Sequence, residues 1–332
     1  MFNEDYLVQS DSYISVMNDT VVPWLESANR TEMLPGCDGQ PLYTVSWRAE
    51  DPAATVFILH GFTENAYKYA ELIYSLLHRH YNVVAYDQRG HGRSRETNPD
   101  SDASVTHVDR FTDYVQDLQL VFSHYREQFP APYFLFAHSM GGAVASLFLE
   151  QEHRAFSAAV LSAPMIAPNL GGVPASCACA LGSFAALLGK GKKRPFFMKP
   201  YSGPESFENS CATDQDRFAW YDRVKASRKE FQNSVPSYRW SVESIKVTKK
   251  ILSDSAPEGI TCPVLLFTAD QDYSVLPDPQ KAFISRVPNG KHVFVKDSRH
   301  EIYRSQNEVL FPWWKQVLSF YGDSLQQLIK KG

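Results

Sequence analysis

Cysteine is sparse in this chain: five among 332 residues, at positions 37, 177, 179, 211 and 262. An odd, scattered set does not make a disulfide framework and points to a reducing cytoplasm. Cys177 and Cys179 lie close together, but no second cluster of Cys and His completes a zinc site, so both read as buried thiols. Long apolar runs are missing as well. The nearest candidate for a membrane span, 173–189 "VPASCACALGSFAALLG", is interrupted by Pro174 and by serines and glycines. The first residues, "MFNEDYLVQSD", are acidic and show no basic stretch before an apolar core, so no secretory signal is read there. Excess positive charge is absent: the formal net charge is −4, which excludes a general pull toward nucleic acid. Internal repeats and low-complexity segments are also lacking.

What is there is ordinary for a soluble globular protein, with 44% hydrophobic and 21% charged residues. The length suits one large α/β domain carrying an insertion. Short runs rich in β-branched and apolar residues predict strands at "LYTVSWR", 55–60, 82–87, 133–137, 157–163, 263–268 and 291–296. Between them, apolar residues spaced by three and four predict helices. Tyr69, Leu72, Ile73 and Leu76 share one face near 66–79, and Phe111, Val115, Leu118 and Phe122 share another in 111–128. Further helices are predicted over 140–152 and 306–328. Alternating strands and helices imply a mostly parallel sheet flanked by helices. Residues 168–205 break the pattern with Pro, Gly, Ser and Lys, and 206–254 read as polar helices. The division is therefore 1–165 and 255–332 for the core, with 166–254 inserted as a cap or lid.

Ser139 stands in "AHSMG", between a predicted strand and a predicted helix. This is close to G-x-S-x-G, a tight turn that exposes a nucleophile, with Ala137 replacing the first glycine. The plainer alternative is a serine capping a helix. A serine hydroxyl needs a general base to attack. His300, in "DSRHEIY" after the last predicted strand, is the candidate. An acid that orients it is expected after the preceding strand, where "ADQDYSV" offers Asp270 and Asp272, with Asp272 favoured by its spacing from Ala269. "HGFTE" (60–64) follows a buried strand, and "DQRGHGRS" (87–94) follows the next one. His91 reads as structural, and His60, His91 and His138 lack metal-ligand spacing.

"FILHGFTEN", "DQRGHGRS", "HSMGG", "DQDYSV" and "RHEIY" occur in the order seen in the α/β-hydrolase fold. The chain resembles the bacterial lysophospholipases and monoacylglycerol lipase-like serine hydrolases, from about residue 40 to 320. "RFAWYDRVKASRKEFQNSVPSYRWSVES" extends the likeness into the insertion. The resemblance implies a Ser139–His300–Asp272 triad working through an acyl-enzyme. It also implies an oxyanion hole from the backbone N–H groups of Phe62 and Met140, supported by His60, Gly61, His138 and Gly141. No metal or organic cofactor is expected. The implied substrate is a small acyl ester, a single-chain lipid. Ala137 and Arg299 depart from the family pattern, and Arg299 is expected to alter the pocket rim. An acyltransferase or other esterase, or a silent binding protein, are the competing readings.

In 181–198, Leu181, Phe184, Leu187 and Leu188 are spaced to share a helical face, followed by Phe196 and Phe197. Lys190, Lys192, Lys193 and Arg194 lie between. Such a segment either rests on an anionic membrane or packs its apolar face on the core and leaves a solvated basic loop.

Overall fold

In the computed structural model, which describes residues 1–95, 102–253 and 256–331, the apolar runs do become the centre of a sheet. Its strands are β1 (Arg30–Pro35), β2 (Pro41–Trp47), β3 (Ala54–Leu59), β4 (Tyr81–Tyr86), β6 (Tyr133–His138), β7 (Ala158–Ser162), β9 (Val264–Gln271) and β10 (Gly290–Arg299). β5 (Val105–Thr106) pairs with β8 (Val235–Pro236) outside it. The 8-stranded order is β1-β2-β4-β3-β6-β7-β9-β10. Every pairing from β4 to β10 is parallel, while β1 and β2 join antiparallel at one edge.

The helices are α1 (Tyr13–Val16), α2 (Val22–Ala28), α3 (Ala70–His78), α4 (Thr112–Arg126), α5 (Met140–Gln151), α6 (Ala175–Ala185), α7 (Gln215–Ser227), α8 (Tyr238–Ile251), α9 (Pro277–Ile284) and α10 (Asn307–Lys331). Side chains of β3 alternate between two cores. Val56 and Ile58 join the core made with α3 and α10, where Trp313, Trp314 and Tyr321 are buried. Phe57 and Leu59 join the core made with α4 and α5. Each such side chain contributes about 1.5–3 kcal/mol through burial. A one-residue slip of β3 would exchange the two sets, so the register is fixed.

The predicted strands and long helices appear within a few residues of their expected bounds. β1 has no counterpart among the predicted strands: its six residues are mostly exposed, so no apolar run marks them. α9 begins on Pro277 and is short, and nothing in its spacing announces it. Between β7 and β9 no strand joins the main sheet among the described residues; this stretch carries α6, α7 and α8. The expected boundary at 254/255 falls outside the described residues.

Candidate active site

Ser139 sits at the junction of β6 and α5 with φ 51° and ψ −117°. A serine in that region costs about 1–3 kcal/mol and persists only where its surroundings hold it. Here the Ser139 N–H donates to Ser162 O at 3.2 Å, and its carbonyl accepts from Met165 N–H at 2.8 Å. Close packing explains the small neighbours. A Cβ on Gly141 would meet the carbonyl oxygens of Leu59 and His60 at 2.6 and 2.7 Å. One on Gly142 would meet Pro164 at 2.5 Å. Ala137 is fully buried, with β3 and β7 as its neighbours, so its single methyl fits where a glycine was expected.

His300, just beyond β10, brings its Nε2 to 2.7 Å from Ser139 Oγ. Its Nδ1 lies 2.7 Å from Asp272 Oδ2. The other Asp272 oxygen accepts from the N–H groups of Ser274 at 2.8 Å and Val275 at 3.1 Å. Burial alone would raise the Asp272 pKa, but His300 and these amides hold it below the ordinary carboxylate value. Burial, the largest single influence, pulls His300 down, yet the Asp272 carboxylate, by charge and hydrogen bond, acts with Glu301 and Glu64 to leave it above the ordinary histidine value. Asp270 does not reach His300; it is exposed and accepts from Asp297 N–H at 3.3 Å.

The loop after β3 passes Ser139 closely. A Cβ on Gly61 would come within 3.1 Å of Ser139 Cβ. Met140 is the first residue of α5, where helix amides have no internal partner. Neither its N–H nor that of Phe62 donates to a protein acceptor among the described residues. The Phe62 ring lies 4.0 Å from Trp240 of α8 between centroids, so α8 touches this loop directly.

The supporting histidines have separate duties. His60 accepts from Gln88 N–H at 2.8 Å and gives its Nδ1–H to Gly61 O at 2.7 Å, tying two loops together. His138 donates from Nδ1 to Ser162 O at 3.0 Å, and burial pushes its pKa down to about 4. His91 hydrogen-bonds Arg89 O and is pushed down to about 3 by burial, in line with a structural role. No group of three His, Cys, Asp or Glu that could hold a metal occurs among the described residues.

Two expectations need correction. Cys177 is exposed and Cys179 half-buried, because α6 turns Gly182 and Ala185 inward instead. A Cβ on Gly182 would lie 2.5 Å from Val242 of α8, which shows how tightly that face is packed. Arg299 does more than line a rim. Its guanidinium donates to the carbonyls of Phe207, Ser210 and Ala212 at 3.0–3.3 Å, fastening that segment to the end of β10. Sequence reasoning missed the polar layer beneath His300: Glu64, Tyr303, Glu301 and Arg304, all buried, and the half-buried Lys68. The one signal was Glu64 and Lys68 four residues apart beside an apolar helix face.

Residues 50–307 match the Hydrolase_4 family, described as serine aminopeptidase, S33. Lysophospholipase L2 of Escherichia coli (strain K12) is 29% identical over 286 residues, 80% of each chain. Monoglyceride lipase of Rattus norvegicus is 33% identical over 138 residues, 41% of this chain and 43% of its own. A carboxyl esterase from Bacillus coagulans superposes with a TM-score of 0.72 at 18% identity, covering 90% of this chain and 99% of its own. The parallel sheet, the strand-to-helix turn at Ser139 and the match across 50–307 agree: the chain belongs to the Hydrolase_4 (serine aminopeptidase, S33) family and is a lysophospholipase- and monoglyceride lipase-like α/β-hydrolase.

Proposed function

We propose that Ser139, His300 and Asp272 form a catalytic triad that hydrolyses the ester bond of a single-chain lipid, a lysophospholipid or a monoacylglycerol. The observation that carries the reading is the pair of 2.7 Å contacts running from Ser139 through His300 to Asp272. His300 Nε2 takes the Ser139 proton as Oγ attacks the acyl carbonyl. The Phe62 and Met140 amides receive the developing oxyanion, and Asp272 keeps the proton on His300 Nδ1. The imidazolium then protonates the leaving alcohol. Water, activated by the same histidine, releases the fatty acid and restores Ser139. The lysophospholipase name of a relative aligned over 80% of this chain supports the lipid class.

The test is a panel on purified protein: a lysophospholipid, a monoacylglycerol, a short aryl ester and an aminoacyl anilide. Turnover of the lipids well above the anilide is the expected outcome. Preference for the anilide would replace this reading with a peptidase, as the family's description names. Covalent labelling of Ser139 by a fluorophosphonate is expected alongside, and failure to label would favour a silent binder.

The stretch 166–254 acts in this reading as the cap, and its outer part as a lipid-facing surface. Leu181, Phe184 and Leu188 point outward, Leu187 is 84% exposed and Phe196 is 81% exposed. Their exposure supports a lipid-facing surface over an apolar face packed on the core. Lys190, Lys192 and Lys193 are exposed beside them, while Arg194 is engaged with Asp102 at 3.2 Å. Each free lysine near an anionic bilayer contributes about 1 kcal/mol. No helix among the described residues is long and apolar enough to cross a membrane, so contact would be peripheral. The five unpaired thiols support a cytoplasmic setting. Charge reversal at Lys190, Lys192 and Lys193 is expected to weaken binding to phosphatidylglycerol-containing vesicles at low salt. Hydrolysis of a short soluble ester is expected to stay unchanged. Equal vesicle binding by variant and parent removes the membrane role.

A further inference from the structure

Glu64 is a carboxylate buried beneath the reacting groups without touching them. One oxygen, Oε2, accepts from Gly61 N–H at 2.7 Å and from the Tyr69 hydroxyl at 2.5 Å. The other, Oε1, accepts from the Tyr303 hydroxyl at 2.6 Å and from Lys68 Nζ at 2.9 Å. Gly61 precedes Phe62, and Tyr303 lies three residues beyond His300. Lys68 makes a second link, reaching Glu301 Oε1 at 2.6 Å. Glu301 is the residue next to His300, and its own N–H is fixed to Cys211 O at 2.9 Å. One side chain therefore ties together two loops that are far apart in sequence.

We propose that Glu64 is a positioning residue that locks the Phe62 loop to the His300 loop, holding the oxyanion amide and the general base at one spacing. This rests on the triad reading above. A buried carboxylate is retained only where partners satisfy it, and a glutamine of equal size would fill the same space. The charge has a use that volume does not explain. Both its oxygens accept, so Gly61 N–H and Tyr303 O–H can be held at once. In Glu64→Gln the oxygen facing Gly61 becomes a donor, or the one facing Lys68 and Tyr303 does. In the first case Gly61 N–H loses its acceptor and that loop is released; in the second the Tyr303 hydroxyl can turn to accept, and Lys68 Nζ is the donor left facing another donor.

Charge has a second effect. His300 is faced by Asp272, Glu301 and Glu64, by Ser139 Oγ, and by the His138 ring at 4.7 Å between centroids. Glu64 itself is faced by Lys68, His138, Tyr303 and Tyr69, with Arg304 beyond Glu301. The three carboxylates all favour the imidazolium, Asp272 most and Glu64 least. Removing the Glu64 charge lowers the His300 pKa. The acid limb of kcat/KM, which requires neutral His300, then moves to lower pH.

The experiment compares Glu64→Gln, Tyr303→Phe and Tyr69→Phe with the parent on a short soluble ester, with thermal melts to establish folding. Glu64→Gln and Tyr303→Phe are expected to lower kcat by about 10²-fold, the scale of a misplaced reacting group, with KM little changed. Tyr69→Phe cuts a bond to Oε2, the oxygen that does not hold Tyr303, and is expected to lose several-fold less. The acid limb is expected to move down in Glu64→Gln. If that variant does not fold, the comparison of Tyr303→Phe with Tyr69→Phe decides. Parental kcat in folded Glu64→Gln overturns the proposal, as does an equal loss in the two tyrosine variants or an unmoved acid limb. An active Ser139→Ala enzyme would instead sink the triad. A dead Ser139→Ala with parental Glu64→Gln sinks the positioning role alone.

Discussion

Ser139→Ala abolishes ester hydrolysis while the protein stays folded: turnover falls about 10⁴-fold or more, as for triad serines generally. The size follows from the role. Without Oγ, no acyl-enzyme forms, and only binding and the Phe62 and Met140 amides remain to assist water. The fold survives because the change deletes one oxygen whose main partner is His300 Nε2, while the backbone bonds that hold the turn are untouched. Fluorophosphonate labelling disappears with activity. The measurement is turnover of the preferred ester alongside a thermal melt. A clean Ser139→Ala preparation that hydrolyses near the parental rate would remove Ser139 as the nucleophile.

The two carboxylates after β9 separate by a large margin. Asp272→Asn is expected to cut turnover by about 10²–10⁴-fold. The amide can present an N–H toward His300 Nδ1, which drives the imidazole to the tautomer whose Nε2 carries a proton and cannot accept one from Ser139. The Ser274 and Val275 amides also lose a carboxylate partner. Asp270→Asn is expected to leave turnover near the parent, because Asp270 is exposed and its carboxylate accepts from the Asp297 amide, away from His300. Steady-state kinetics on both variants decides. A larger loss at Asp270 would mean that the acid had been placed two residues too late.

The frame of the fold was readable because a parallel sheet buries both faces of its strands. "TVFILH" and "NVVAYD" are unbroken apolar runs for that reason, and they became β3 and β4. Ser139 was readable because its turn tolerates only small neighbours, a demand that leaves a mark on the adjacent letters. His300 and Asp272 were readable from their places after two strands. Glu64 was not, since nothing local tells a buried carboxylate from a solvated one when its partners, Tyr303 and Gly61, come from different loops. The outward turn of α6 was equally hidden. Leu181 and Phe184 have the spacing of a core face, and only Gly182 against Val242 shows which side is inside.

Arg299 distinguishes two parts of the stretch between β7 and β9. Carbonyls of Phe207, Ser210 and Ala212 share its guanidinium, which ties that part to the residue beside His300. The part around α6 instead leans on α8 through Gly182 and Ala185, residues with almost no side chain. Substitutions at the exposed positions of the outer part, such as Leu187, touch no residue of the site, whereas a change at Phe207, Ser210 or Ala212 acts on the residue next to the base. Substrate choice and chemistry can thus diverge at different speeds along one lineage. The outer part is a place where new acyl chains or head groups could be tried while the reaction itself is kept.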